Sequence, residues 1–303
     1  MSRASIPVDL FNPGQVLACL GFMEVTEVIL GSTRGGFDWT SNTGARFYLD
    51  APGSLNPFAV ALDYVSDANT LVEWLSPDRT ITERDGGNTV VIDGISASKI
   101  PKPAYFPARL RRRLDDSDAI VTFGYWADDS SRFSVIFKKS TNGASSHVRF
   151  HNGLSAIREH HLSAAVSDPM NLSSRTESLF RLDPRGSADP INAGTSPDKL
   201  RKGGIDVRVV TYPICEIMAV IGLENSRPLI EKQGRSAAFS YRTWGGRITS
   251  ESEGFGMLPI EFARAAIATD LPFIESRKFV VRHEEVKTGG DRKITSVTEE
   301  TRG

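Results

Sequence analysis

Apolar residues fall in short runs broken by Gly, Pro, Asn and Asp, and one pattern of strand, proline and helix occurs twice. The first copy reads Val8-Asp9-Leu10-Phe11-Asn12-Pro13-Gly14-Gln15-Val16-Leu17-Ala18-Cys19-Leu20-Gly21-Phe22. The second reads Val207-Arg208-Val209-Val210-Thr211-Tyr212-Pro213-Ile214-Cys215-Glu216-Ile217-Met218-Ala219-Val220-Ile221-Gly222-Leu223. Each is an apolar strand, a proline opening a helix, a Cys and an Ala, then Gly with a large apolar residue. The Cys follows the Ala in one copy and precedes it in the other, and the spacings differ by one residue. An imperfect internal repeat predicts two related halves, hence a duplicated α+β fold with antiparallel sheets rather than one doubly wound sheet.

Between and after the copies the pattern predicts further elements. A strand is expected over 6–11, with Asn12 as N-cap and Pro13 as the first helical residue. Val16, Leu17, Leu20, Met23, Glu27 and Val28 give a mostly apolar helical face, closed by Gly31. Residues 35–39 and 46–50 read as strands around a turn at 42–44, and 71–75 as a short apolar element of either type. Asp85-Gly86-Gly87-Asn88 announces a strand at 89–92. The runs 119–126 and 132–139 read as a hairpin, and 152–166 as a helix. Residues 183–204 are rich in breakers and form a long irregular central loop. A strand is expected over 237–244, a helix from Pro259, and a closing strand over 278–286 with a mobile tail after Thr288. The organisation expected is an N-terminal unit over 1–180 with an inserted hairpin, a linker over 181–204 and a C-terminal unit over 205–303.

Composition narrows the function classes. The 303 residues suffice for two units, and 36 basic side chains against 37 acidic ones leave a formal charge of -1. No global basic footprint exists, so any nucleic-acid contact rests on local patches. The two cysteines sit inside apolar helices and read as buried small residues of a reducing compartment. No signal sequence opens the chain and no apolar run is expected to span a bilayer, so the expected location is cytoplasmic with no membrane partner.

Catalytic signatures are absent: no phosphate loop, dinucleotide fingerprint, His-Glu-x-x-His or nucleophile elbow is present, and neither a metal nor a cofactor is expected. His147 and His151 lie four apart, but Val148-Arg149-Phe150 reads as strand, which removes a shared face. His160 and His161 are the weak catalytic candidates, as an acid/base pair for RNA cleavage, against a simple exposed helical pair. Arg109, Arg111, Arg112 and Arg113 form the densest basic cluster. Arginine forks suit phosphate, and the competing reading is a solvated turn neutralised by Asp115, Asp116 and Asp118. Lys138 on the hairpin, Arg185 on the long loop, and Trp244, Gly245, Gly246 and Arg247 complete the RNA-binding candidates. There the glycines expose backbone amides while Trp244 and Arg247 offer a plane and a fork, or else all four make a tight turn.

The opening 8–22, the loop from Asp183-Pro184-Arg185 through Asp189 to Gly194-Thr195-Ser196-Pro197, Tyr212-Pro213 to Gly222-Leu223, and Leu258-Pro259 through Ala263-Arg264-Ala265-Ala266 resemble the Csb-type proteins of type I-U (I-G) CRISPR-Cas systems. That resemblance covers most of the chain. It implies the RAMP superfamily, whose RRM-like (ferredoxin-like) units bind CRISPR RNA, and the repeated strand-helix unit fits two of them. It also implies a glycine-rich RNA contact near the C-terminal end, for which Gly245 and Gly246 stand. Processing nucleases of the superfamily carry a catalytic His near the first helix, where this chain has none. The expectation is a non-catalytic RNA-binding subunit of a Cascade-like surveillance complex, partnered by CRISPR RNA, by other Cas subunits and by target DNA if it faces DNA. The alternatives are a metal-independent CRISPR RNA-processing endoribonuclease and a DNA-facing subunit that recognises the target-adjacent motif.

Overall fold

A computed structural model of the chain describes residues 1–40, 44–76, 79–83, 90–92, 95–96, 108–114, 117–123, 146–160, 166–176, 180, 182–187, 209–233, 236–246, 256–286 and 291–300. The fold is α+β, with mostly antiparallel sheets. Strand β1 (Ser2–Pro7) leads to helix α1 (Pro13–Leu30), then to the hairpin β2 (Arg34–Asp38) and β3 (Arg46–Ala51). The strand ends earlier than its apolar run suggests because Asp9 and Gln15 claim the next amides. Phe11 N–H donates to Asp9 Oδ1 at 2.9 Å and Asp9 N–H to Gln15 Oε1 at 2.7 Å, which turns the chain into the helix. Asn12 caps α1 by accepting from Gln15 N–H, Pro13 takes its first turn, and Gly31 closes it at φ 70°. α1 is long and apolar enough to cross a bilayer, contrary to the expectation of no such run. It is mostly buried inside the fold, every residue from Pro13 to Thr26 included.

β3 lies between β1 and β2 and is antiparallel to both, so β1 and β2 run parallel with α1 connecting them. Helix α2 (Pro57–Ser66) follows, capped by Asn56, with Phe58, Ala61, Leu62 and Val65 buried at helical spacing. The chain then enters a second sheet, ordered β7-β6-β5-β4-β8-β9, from β4 (Leu71–Ser76), β5 (Arg79–Glu83), β6 (Val90–Ile92), β7 (Ile95–Ser96), β8 (Ala108–Arg113) and β9 (Asp118–Phe123). β9 pairs with β8; its expected hairpin partner 132–139 lies outside the described residues. Helix α3 (Ser146–Arg158) begins earlier than expected and includes Val148–Phe150, which the sequence suggested as strand. Phe150, Leu154 and Ile157 explain this: they bury one face of the helix, and Phe150 stacks on Phe123 at 4.4 Å.

After β10 (Ser174–Thr176), the second copy of the repeat gives β11 (Val209–Thr211), which pairs with β10, then helix α4 (Pro213–Asn225). It continues with β12 (Leu229–Gln233), β13 (Ser236–Gly245), β14 (Leu258–Pro259), helix α5 (Ile260–Ala266) and β15 (Glu275–Val286). The segment expected as a mobile tail contains β16 (Asp291–Glu300), antiparallel to β15, with Ile294 and Val297 against the core. Within the expected long loop, Pro184–Ser187 is a short 3-10 turn.

The larger sheet runs β1-β3-β2-β13-β15-β16, with β12 beside β13 and β14 beside β2. Strands from both expected units therefore share one sheet. They meet where Gly245 pairs with Phe37 and Gly246 N–H donates to Phe37 O at 3.0 Å. Gly245 is at φ 140°, and a Cβ there would lie 2.1 Å from Phe37 O, so no other residue fits. α1 and α4 pack on each other, with β3 of the larger sheet and β9 of the smaller one both against α1. Burial of residues 13–26 of α1 and 213–223 of α4 is why both helices are mostly apolar there. Cys19 and Cys215 lie in them as free, buried thiols, and burial pushes both well above the ordinary thiol range.

Candidate nucleic-acid interface

The arginine cluster lies on β8 and not on a turn. Strand alternation splits it. Arg112 shares the inward side with Leu110, lies 5.3 Å over the Tyr64 ring, and donates to Asp63 Oδ2 at 2.7 Å and Asp67 Oδ2 at 3.4 Å. The Tyr64 hydroxyl beneath it reaches Leu110 O at 2.8 Å and Ala119 O at 3.0 Å, and burial holds that hydroxyl above the usual phenol range. Arg112 thus covers the edge of the core at Tyr64.

Arg109, Arg111 and Arg113 share the other side. The register places Leu71, Arg111 and Ile120 in one row across β4, β8 and β9, with Glu73, Arg109 and Thr122 in the next and Arg113 opposite Asp118. Glu73 is only 5% exposed, and it holds two arginines at once. Arg109 Nε donates to its Oε2, and Arg111 Nε donates to its Oε1 at 2.8 Å, while Arg111 Nη1 reaches Asp118 Oδ2 at 3.4 Å. Among the described residues, Arg109, Arg111 and Arg113 share this face with Glu73 and Asp118. Leu71 and Ile120 stand exposed beside Arg111. The sequence did carry a signal for Glu73: a lone acid inside the apolar run Leu71-Val72-Glu73-Trp74-Leu75 needs a cation when it is buried.

The remaining candidates do not gather here. Arg185 donates from its own backbone and side chain to Asp183, from Nη1 to Asn171 Oδ1 and from Nη2 to Met170 O at 2.7 Å, and its guanidinium lies 3.8 Å over Tyr212. It is an internal anchor in this structure. Trp244 is fully buried, donates Nε1–H to Gly35 O at 2.9 Å and meets Phe37 edge-on, so it offers no face to a base. Gly245 and Gly246 spend their freedom joining β13 to β2 rather than cradling phosphate. His160 sits on the turn after α3, its N–H donating to Ile157 O. Lys138, His161 and Arg247 lie outside the described residues. His147 and His151 do share a helix, yet among the described residues no three His, Cys, Asp or Glu side chains gather as a metal site.

A buried polar cluster missed by sequence reasoning joins the N-terminal ends of α1 and α4. Asp183, fully buried, accepts from Asn12 Nδ2 at 2.9 Å and from Arg185, and its N–H donates to Glu216 Oε1 at 2.9 Å. Gly14 leaves room for the Leu182–Asp183 backbone, which a Cβ would meet at 2.7 Å. Glu216 Oε2 has no hydrogen-bond partner among the described residues. Burial, then the Asp183 charge, pushes the Glu216 carboxyl up to about 7, while backbone N–H donors and Arg149 pull the other way. The cluster straps residues 182–185 over the paired helices and offers no open surface.

Comparison with known proteins finds no match for this chain among family models, curated proteins or solved structures.

Proposed function

We propose that this chain is a non-catalytic, RNA-binding subunit of a type I CRISPR RNA-guided surveillance complex, acting in antiviral defence. The observation that carries the reading is the way the two repeat copies meet. Helices α1 and α4 cross through Gly21 and Gly222, each glycine lying on the carbonyl of the residue four positions before the other: Met218 for Gly21, Leu17 for Gly222. That reciprocal contact is what two related halves about a local two-fold axis would make.

Two further features support RRM-like ancestry. β1, α1, β2, β3 and α2 follow the order of a ferredoxin-like unit, with β3 between parallel β1 and β2. β11, α4, β12, β13, α5 and β15 repeat that order along the chain with the two-residue β14 inserted before α5, although β11 pairs with β10 and not with β13. In the proposed role the guide's base pairing reads the target sequence, and this subunit holds RNA and neighbouring Cas subunits. The RNA contact is assigned to the outer face of β4, β8 and β9, where Arg109, Arg111 and Arg113 stand together.

The test is a pulldown of tagged protein from cells carrying the whole CRISPR locus, with sequencing of copurified RNA. Discrete guide-length RNA with other Cas subunits is the expected result. Protein recovered alone, without RNA, removes the reading.

A further inference from the structure

We propose that Glu73 is a positioning residue of the RNA contact: it aims Arg109 and Arg111, and the face needs this acid in order to bind a polyanion. The proposal rests on the RNA-binding reading above and adds the residue that organises the contact.

An acid among arginines ordinarily counts against binding RNA, because it cancels charge. The geometry gives Glu73 a different part. It lies on β4 beside β8, only 5% exposed, opposite Arg109 in the register. Its Oε2 accepts from Arg109 Nε, and its Oε1 accepts from Arg111 Nε and faces Arg111 Nη2, both at 2.8 Å. Both arginines are thus gripped at Nε by one carboxylate. The N–H groups of a guanidinium form a rigid planar fork, so a hold at Nε sets where the rest of the fork points. Among the described residues, neither Nη group of Arg109 makes a hydrogen bond, and Arg111 spends one further N–H on Asp118 Oδ2 at 3.4 Å. The two side chains are 32% and 36% exposed, which leaves the open N–H groups within reach of a ligand.

A loose arginine on an exposed strand samples many rotamers and loses them on binding, whereas one already held has less to lose. An incoming RNA group does not replace Glu73 either, because a carboxylate buried to this degree would be left uncompensated. Glu73 therefore stays in place in the bound state and keeps the two guanidinium groups at a fixed spacing. Asp118 is the contrast on the same face. It touches Arg111 at 3.4 Å and is itself 36% exposed, so it subtracts charge without fixing a direction.

The experiment is fluorescence anisotropy of the full chain with a labelled oligouridine of about twelve nucleotides, over about 50 to 300 mM KCl. Glu73→Gln and Asp118→Asn each remove one negative charge from the same face, and charge alone would make both bind tighter. The expected effects have opposite signs. Asp118→Asn tightens binding about twofold. Glu73→Gln weakens it about fivefold or more and makes the salt slope shallower, measured below its melting transition. Glu73→Asp, which keeps the charge and sets the carboxylate back by one methylene, is the second variant and also weakens binding. Glu73→Gln binding as tightly as wild type or tighter, or Asp118→Asn weakening binding as much as Glu73→Gln, overturns the positioning role while leaving RNA binding in place. If Glu73→Gln does not fold, wild-type affinity in Glu73→Asp overturns it in the same way. Wild type binding no RNA overturns the RNA-binding reading itself.

Discussion

Gly21 of α1 and Gly222 of α4 are each the point at which one helix rests directly on the main chain of the other. A Cβ at Gly21 would lie 1.9 Å from Met218 O, and one at Gly222 would lie 2.2 Å from Leu17 O. The obstacles are carbonyl oxygens, so no side chain can rotate away, and an alanine has to push the helices apart through a close-packed interior. Gly21→Ala and Gly222→Ala are each expected to cost about 3 kcal/mol or more in urea unfolding. The double variant is expected to cost clearly less than both together, because the first substitution has already opened the crossing. Either single variant matching wild-type stability would show that the crossing is looser than described.

Glu216 makes stability depend on pH in the direction opposite to most carboxylates. Its folded-state value of about 7 lies above the ordinary 4.5, so between these the folded chain holds a proton that the unfolded chain has lost. Its contribution is full below about pH 4.5 and declines as pH rises through 7, by about 3 kcal/mol in all. Glu216→Gln keeps an acceptor for Asp183 N–H and removes the titration. The difference in urea midpoint between variant and wild type is expected to move in favour of the variant from pH 5 to pH 8.5. A constant difference across that range would mean that Glu216 is ionised throughout.

Trp244 separates a structural tryptophan from a base-stacking one. Trp244→Phe keeps most of the packing against Phe37 and leaves Gly35 O without its donor, at a cost of about 1–3 kcal/mol. RNA affinity measured below the melting transition is expected to stay at the wild-type value. A variant of wild-type stability with weakened RNA binding would restore the tryptophan as a stacking platform.

Much of the fold is legible because local chemistry and burial agree. Asn12, Pro13 and Gly31 bound α1 as capping rules require, and the repeat marks α4 through Pro213 and Gly222. Where the two conflict, pattern misleads. β8 is hidden because Arg112 occupies an inward position and breaks the alternation begun by Ala108 and Leu110. β16 is hidden because a polar strand paired on one edge needs few apolar residues. The candidate site was legible in its cations and in Asp118. Of its carboxylates Asp118 is near in sequence, but Glu73 lies 36 residues from Arg109, and nothing local couples them. Trp244-Gly245-Gly246 satisfies a ligand loop and a strand junction equally well in sequence. Only the approach of Phe37, from the other end of the chain, decides between them.

Arg185 and Asp183 supply the last prediction, which distinguishes an anchor from a nucleic-acid contact. Arg185→Ala leaves a fully buried carboxylate without its cation and is expected to cost about 3–5 kcal/mol. Asp183→Asn relieves that charge, so the Arg185→Ala, Asp183→Asn double variant should be less destabilised than the two singles predict together. Arg185→Lys restores the charge but not the fork or the plane over Tyr212, and should recover only part of the loss. Folded fractions of all four should keep wild-type RNA affinity and salt dependence, because this guanidinium is spent on Asp183, Asn171 and Met170. Wild-type stability in Arg185→Ala, with weaker RNA binding and a shallower salt slope, would place Arg185 on the RNA instead.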